Sequence, residues 1–204
     1  MVDTRLDRAA FMARHIPGSL HARFDRTFNT VVGSLVEDEQ RPLLLVIDEQ
    51  DVEEAVRDLA GIGYDQVIAF VDPPTLERYW AQGGASASIL VADMRAMGTL
   101  WRRPDHVVVD VRTAAAEYRE GHVPGAVLAP YTRLPRMLDR IPEGETAMVY
   151  CRTGSWSAAA AAFLAALGRP VVWVDGDWSE WMEHGLPVEG TPGAAPQVAV
   201  TEAR

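Results

Sequence analysis

Short apolar runs recur along the chain, each followed by a stretch whose apolar residues fall at helical spacing or give way to alanine. In the second half the runs lie near residues 106–111, 126–129, 147–150 and 171–174; their valine content predicts strands. The stretches near 114–120, 132–139, 156–167 and 177–183 predict helices, and the alanine run 158–162 is the clearest of them. The first half follows the same rhythm, with strands over 2–5 and 43–47. Strands that are apolar throughout and separated by helices predict an α/β fold, with a mainly parallel sheet flanked by helices on both faces. Ligands of such sheets bind beyond the carboxyl ends of the strands.

The rhythm is an internal repeat. Val2, Asp3, Arg5, Phe11, His15, Pro17 and Gly18 parallel Val109, Asp110, Arg112, Tyr118, His122, Pro124 and Gly125 at a constant offset of 107 residues. Further on, residues 43–47 parallel the run ending at Tyr150, residues 59–63 parallel 164–168, and Trp80 parallels Trp181. The small-residue stretch 82–86 reads as a linker, and the apolar spacing over 88–97 predicts a helix opening the second unit. The chain therefore divides into residues 1–84 and 85–204, the latter with a core over 105–190 and a flexible C-terminal tail.

The single cysteine, Cys151, ends one apolar run and immediately precedes the alanine-rich helix. A helix start carries unpaired N–H groups and partial positive charge, which favour a thiolate over a thiol. The thiolate is the nucleophilic form. A lone cysteine is ordinarily a small buried hydrophobe. Strand, short loop and helix arriving together are instead the setting of nucleophile-bearing turns, and they make Cys151 the candidate catalytic residue.

Residues 151–157, Cys-Arg-Thr-Gly-Ser-Trp-Ser, resemble the active-site loop of rhodanese-type sulfurtransferases, which often reads Cys-Arg-x-Gly-x-Arg-Ser. The resemblance extends to residues 107–112, to Glu117-Tyr118 with 121–126, and to Leu167-Gly168, 171–174, Gly176, Trp181 and 185–188, in family order. It implies two rhodanese-like domains: a degenerate one over 1–84, with Asp48 in the nucleophile's place and a shortened loop, and a catalytic one over 85–204. Cys151 would take the outer sulfur of a donor such as thiosulfate or a small persulfide and pass it to a thiol or cyanide.

Arg152, Thr153, Gly154, Ser155, Trp156 and Ser157 are the candidate substrate-binding residues. Arg152 is suited to drawing in an anionic donor. Thr153 and Ser155 suit a turn that exposes amides, Gly154 an unusual backbone angle, and Ser157 an N-cap. Trp156 departs from the family pattern, where arginine is common; it weakens the case for thiosulfate and is either a wall for a bulkier donor or covered by the first unit. Asp51 reads as the N-cap of the first unit's equivalent helix. Asp110, Arg112 and His122 read as structural, because the first unit keeps Asp3, Arg5 and His15 without the cysteine. Trp173, Trp178 and Trp181 read as core and lid packing.

The alternative reading is a non-enzymatic persulfide carrier, or a docking module for a sulfur-oxidising enzyme. The order of a degenerate then an active domain resembles the C-terminal part of fusions with a persulfide dioxygenase. No His-x-His-x-Asp pattern is present, so neither a metal nor a cofactor is expected. A phosphatase of this kind needs a longer loop with arginine six residues after the cysteine, a position held here by Ser157.

Composition narrows the partners. A net charge of −10 argues against nucleic acid and anionic membrane surfaces. No apolar stretch approaches the roughly 18 residues of a membrane span, and no signal peptide is read. One cysteine excludes an internal disulfide and fits a reducing compartment, so a cytoplasmic location is expected.

Overall fold

The computed structural model describes residues 1–190; of the tail predicted to be flexible, residues 191–204 lie outside the described part. The alternation of the sequence builds two sheets in which every strand pairing is parallel. The first half runs β1 (Val2–Asp3), α1 (Arg8–Ala13), β2 (Leu20–His21), α2 (Phe28–Leu35), β3 (Leu43–Val46), α3 (Val52–Ala60), β4 (Val67–Val71) and α4 (Pro73–Ala81). Its strand order is β2-β1-β3-β4. The second half runs β5 (Leu90–Ala92), α5 (Met94–Leu100), β6 (His106–Asp110), α6 (Ala115–Glu120), β7 (Val127–Leu128), β8 (Thr146–Tyr150), α7 (Ser155–Ala166), β9 (Val171–Val174) and α8 (Trp178–Glu183). Its order is β5-β9-β8-β6-β7. No helix of the described residues is long and apolar enough to cross a membrane.

Two predicted helices are corrected. Residues 88–97 form a strand and then a helix. Leu90 and Val91 pair with Val172 and Trp173 at the sheet edge, and Asp93 caps α5 by accepting from the Ala96 amide at 2.6 Å. The apolar spacing there fits a helix, but a free edge on β9 and a capping aspartate divide it. Residues 132–139 belong to a run of tight 3-10 turns over Tyr131–Arg140. Pro135 lies inside it, has no N–H to donate, and disfavours helical backbone in the residue before it.

The halves share one set of bonds around the central strand. Val2 and Asp3 pair with Leu20 and His21 as Val109 and Asp110 pair with Val127 and Leu128. Asp3 holds Arg5, which donates onward to the Arg14 carbonyl at 2.9 Å; Asp110 holds Arg112, which donates onward to the Gly121 carbonyl at 2.8 Å. His15 Nδ1 lies 2.9 Å from the Phe11 carbonyl and His122 Nδ1 2.6 Å from that of Tyr118, each ring stacked on the aromatic four residues before it. The first half makes these bonds without a cysteine, so they serve to pin the chain leaving the central strand. In the second half Tyr150 adds a bond from its hydroxyl to Asp110 at 2.7 Å. Burial, and then the Asp110 carboxylate, push its phenol well above the ordinary range, so it remains a donor.

Helix α7 joins the halves. It is apolar on all sides, and Ser157 through Leu164 are all buried, as expected of a helix with no polar face. Ala158, Ala161 and Ala162 share one cluster with Phe11 and Met12 of α1 and Trp173 of β9. Ala159, Ala160, Phe163 and Leu164 belong to the main core, which also holds Val2, Leu43 and Leu45 from the first sheet and Val109 and Val149 from the second. Alanine side chains allow this close approach from both directions.

His21 lies in the same region. Its Nε2 is 3.0 Å from the Arg5 carbonyl and its ring stacks on Phe11 at 4.6 Å. Burial lowers its pKa from 6.5 to about 4. The unfolded chain therefore takes up this proton first as pH falls, and stability drains away between pH 6.5 and 4. His21→Gln, which can still donate to the Arg5 carbonyl, should flatten this acid limb. Urea unfolding at pH 7 and pH 4.5 should show the wild type losing roughly 2 kcal/mol more than the variant. Equal losses would show that the site does not hold the ring neutral.

Candidate functional site

Cys151 is the first residue after β8 and therefore stands at the carboxyl end of a central strand, where an α/β sheet presents its ligands. Four residues, 151–154, carry the chain from the strand to the first turn of α7. Gly154 makes that turn with φ of 78°. The backbone conformation demands glycine; a Cβ there would also stand 2.8 Å from Asp175 Oδ1 and 3.1 Å from Arg8 Nη1, and these side-chain ends would have to shift.

Gly154, not Ser157, occupies the N-cap. The helix opens at Ser155, which carries Ser157 into the first turn with its side chain turned back on the sulfur. The Ser157 amide donates to Cys151 Sγ at 3.4 Å and its hydroxyl oxygen lies 3.5 Å from the same atom. The hydroxyl also donates to the Gly154 carbonyl at 3.1 Å and accepts from Trp173 Nε1 at 3.1 Å. Trp173 Nε1 reaches the Gly154 carbonyl too, at 3.1 Å. The sulfur is thus held by one amide and one hydroxyl among the described residues, and Cys151 as a residue is only 1% exposed.

The other loop residues separate by role. Arg152 points outward and pairs with Glu117 of α6, so its charge is already engaged by a carboxylate. Its carbonyl accepts from the Trp178 amide at 2.8 Å, tying the loop to α8. The Thr153 carbonyl and the Ser155 hydroxyl both receive Arg8 Nη1, at 3.0 and 3.1 Å. Trp156 stacks on Tyr131 at 5.2 Å and lines a crevice with His21, Arg23, Thr27 and Val31 of the first half. Trp156 is half-buried, and the crevice that it lines brings first-half residues to it. Trp173 and Trp181 are buried in the core, and Trp178 lies between Tyr150 and Trp181.

Sequence reasoning missed three groups. Trp173 pins the loop through its indole N–H, though it reads as a core residue of a strand. Glu117 neutralises Arg152, and its presence in the Glu-Tyr block was the available signal. Arg8 comes from the other half of the chain, and no local pattern marks it.

The first half's counterpart differs from the expectation. Asp3 pairs with Val46 as Asp110 pairs with Tyr150, so the residue standing in the place of Cys151 is Ile47, with Asp48 one step beyond. The connection is not shorter; α3 has 9 residues against 12 in α7, and the shortfall falls in the helix. Asp51 heads α3 without making a side-chain capping bond, because a 3-10 turn over Glu49–Asp51 precedes it.

The rhodanese-like domain family matches residues 96–184, which contain the loop and both of its pinning tryptophans, Trp173 and Trp178. A sulfurtransferase from Allochromatium vinosum is 34% identical over 90 residues, covering 44% of this chain and 83% of that protein. The chain belongs to the rhodanese family. Among solved structures, a rhodanese-like domain protein from Staphylococcus aureus is 27% identical, with 50% of this chain and 100% of that one covered at a TM-score of 0.43. A thiosulfate sulfurtransferase from Pseudomonas aeruginosa is 18% identical, with 93% of this chain and 40% of that one covered at a TM-score of 0.41.

Two outcomes follow from this geometry. Ile47→Cys in a Cys151→Ser background should acquire no persulfide when mixed with a sulfur donor, because residues 47–51 contain no glycine and bring Asp48, Glu49 and Asp51 to the loop. Intact-mass spectrometry reads this, and a stable added sulfur would show that the loop chemistry is irrelevant. Trp156→Arg should lose the stack on Tyr131 and set a cation beside Arg23, lowering Tm by about 4–10 °C. An unchanged melting temperature would remove Trp156 from the packing between the halves.

Proposed function

We propose that the protein is a sulfurtransferase that carries sulfane sulfur as a persulfide on Cys151. The observation that carries this reading is the position of Cys151: the single thiol of the chain, at a strand's carboxyl end, under a glycine-turned loop, in a rhodanese-family domain. The Cys151 thiolate attacks the outer sulfur of thiosulfate; the S–S bond breaks and sulfite leaves with its electron pair. A small persulfide reacts in the same way, its thiolate leaving. Cyanide or a thiol then attacks the terminal sulfur, and Cys151 departs as thiolate, ready for another cycle. No external oxidant or reductant enters. Ser157 is placed to donate to the sulfur through its amide, and its hydroxyl can turn to do the same.

The proposal includes a tandem arrangement. Residues 1–84 form a degenerate rhodanese-like domain with Ile47 in the nucleophile's place, and residues 85–204 form the catalytic domain. Its support is the repeated Asp–Arg–carbonyl and His–carbonyl bonding in both halves. A reducing, cytoplasmic setting suits a catalytic lone cysteine.

A second reading has its own observation. A buried cysteine suits a carrier that shields its persulfide until a partner, such as a sulfur-oxidising enzyme, opens the loop. The two readings diverge on turnover. With thiosulfate and cyanide, the wild type should produce many equivalents of thiocyanate per chain. Cys151→Ser, a nearly isosteric change, should reduce that rate by at least about 1,000-fold, as loss of a covalent nucleophile does, while leaving Tm within a few degrees. A single equivalent from the wild type would favour the carrier; wild-type rates in Cys151→Ser would end both readings.

A further inference from the structure

The family pattern commonly sets an arginine at the position held here by Trp156, and Arg152 is bound to Glu117. The loop nevertheless receives a guanidinium from elsewhere. Arg8 is the first residue of α1, whose N-cap Asp7 accepts from the Ala10 amide at 3.0 Å. Phe11 and Met12 of that helix are wholly buried against Ala158, Ala161 and Ala162 of α7 and against Trp173. This packing fixes where Arg8 starts. Its guanidinium lies 5.5 Å from the centre of the Trp173 ring, the ring whose N–H pins Gly154 and Ser157. Nη1 donates to the Thr153 carbonyl and the Ser155 hydroxyl, while Nη2 forms a longer ion pair with Asp175 at 3.9 Å, without a hydrogen bond. A guanidinium has five N–H donors. The Arg8 side chain is 26% exposed, so solvent reaches it beside the 153–155 turn.

We propose that Arg8 is a positioning and specificity residue for the Cys151 site. From the first half of the chain it clamps the 153–155 turn and keeps a positive charge at the rim, so that the site favours anionic sulfur donors of the thiosulfate type over neutral ones. This rests on the reading of Cys151 as the reactive sulfur. It gives the nucleophile-free half a chemical role: that half supplies a second rim cation beside Arg152, which Glu117 pairs. Trp156 then fills the space between the halves, and the charge arrives from the neighbouring helix.

Because the chain has one cysteine, alkylation reads this site alone. The ratio of rate constants for iodoacetate, an anion, and iodoacetamide, its neutral analogue, reports charge near the sulfur, since thiolate fraction and loop opening affect both reagents alike. Arg8→Gln keeps a hydrogen-bond donor without charge and should lower the ratio about tenfold. Arg8→Lys keeps the charge and should restore it to within about threefold of wild type. Asp175→Asn, an exposed change that does not endanger folding, removes the carboxylate facing Arg8 and should raise the ratio about twofold. High salt should compress the wild-type ratio toward that of Arg8→Gln.

Thiosulfate–cyanide turnover measured in parallel separates this inference from the activity. A wild type that shows the charge signature but no turnover would leave the Arg8 assignment standing and end the sulfurtransferase reading. A wild type that turns over, with Arg8→Gln and Asp175→Asn leaving both the alkylation ratio and the thiosulfate KM unchanged, would overturn the role of Arg8. An equal loss of rate with both alkylating reagents would also overturn it, because a purely structural part would slow them alike.

Discussion

The burial of α7 on every side is the constraint from which the rest of the architecture follows. A helix of eight consecutive buried residues, Ser157 through Leu164, cannot lie on the surface of a single sheet-and-helix layer without exposing one apolar side. The second sheet covers part of it through Val109, Val149 and Trp173, and the first half covers the remainder through Phe11, Met12, Val2 and Leu45. Separating the halves would uncover a contiguous apolar surface, which soluble chains avoid. The helix that receives the first half is also the helix whose first turn holds Cys151. Packing between halves and geometry at the sulfur are therefore the same structural problem.

The loop itself is short and held from several directions. Gly154 provides the left-handed residue that turns the chain beneath the side chains of Asp175 and Arg8. Trp173 from β9, Trp178 from α8 and Arg8 from α1 each hold a different group of the 152–157 segment. Such multiple anchoring suits a site that must present one sulfur in one orientation, because a loop tied only at its ends would spread its amides over many directions. It also explains why the sulfur lies so deep: each tie draws the loop down over it.

The repeated motif offers a comparison within one chain. The Asp–Arg pair, the stacked histidine and the bonds to the carbonyls of Arg14 and Gly121 occur in both halves, although only one half has a thiol. An Asp and a His close to a cysteine invite a catalytic reading. Their persistence beside Ile47 assigns them instead to the turn that leaves the central strand. What separates the halves chemically is confined to a few residues after that strand. One has an isoleucine followed by acidic residues in a 3-10 turn. The other has a cysteine followed by a glycine-turned loop.

Valine-rich runs with period-free apolar character, the alanine run after residue 157 and the motif repeated at offset 107 determined by themselves that the chain is α/β, carries one motif twice, and has a single thiol at a strand's end. These features are local or periodic, so one dimension suffices to read them. The tertiary structure alone decided the rest. Residues 88–97 fit a helix by spacing, and only the free edge of β9 made their first part a strand. The sequence puts Asp48 in the place of Cys151, and only hydrogen-bond register moves that place to Ile47. Ser157 reads as a cap until the turn at Gly154 moves the helix start three residues earlier. Arg8 reaches Thr153 across 145 positions of chain. Register, edge pairing and long-range hydrogen bonds depend on which surfaces meet, and that is set by the burial of α7 between the halves.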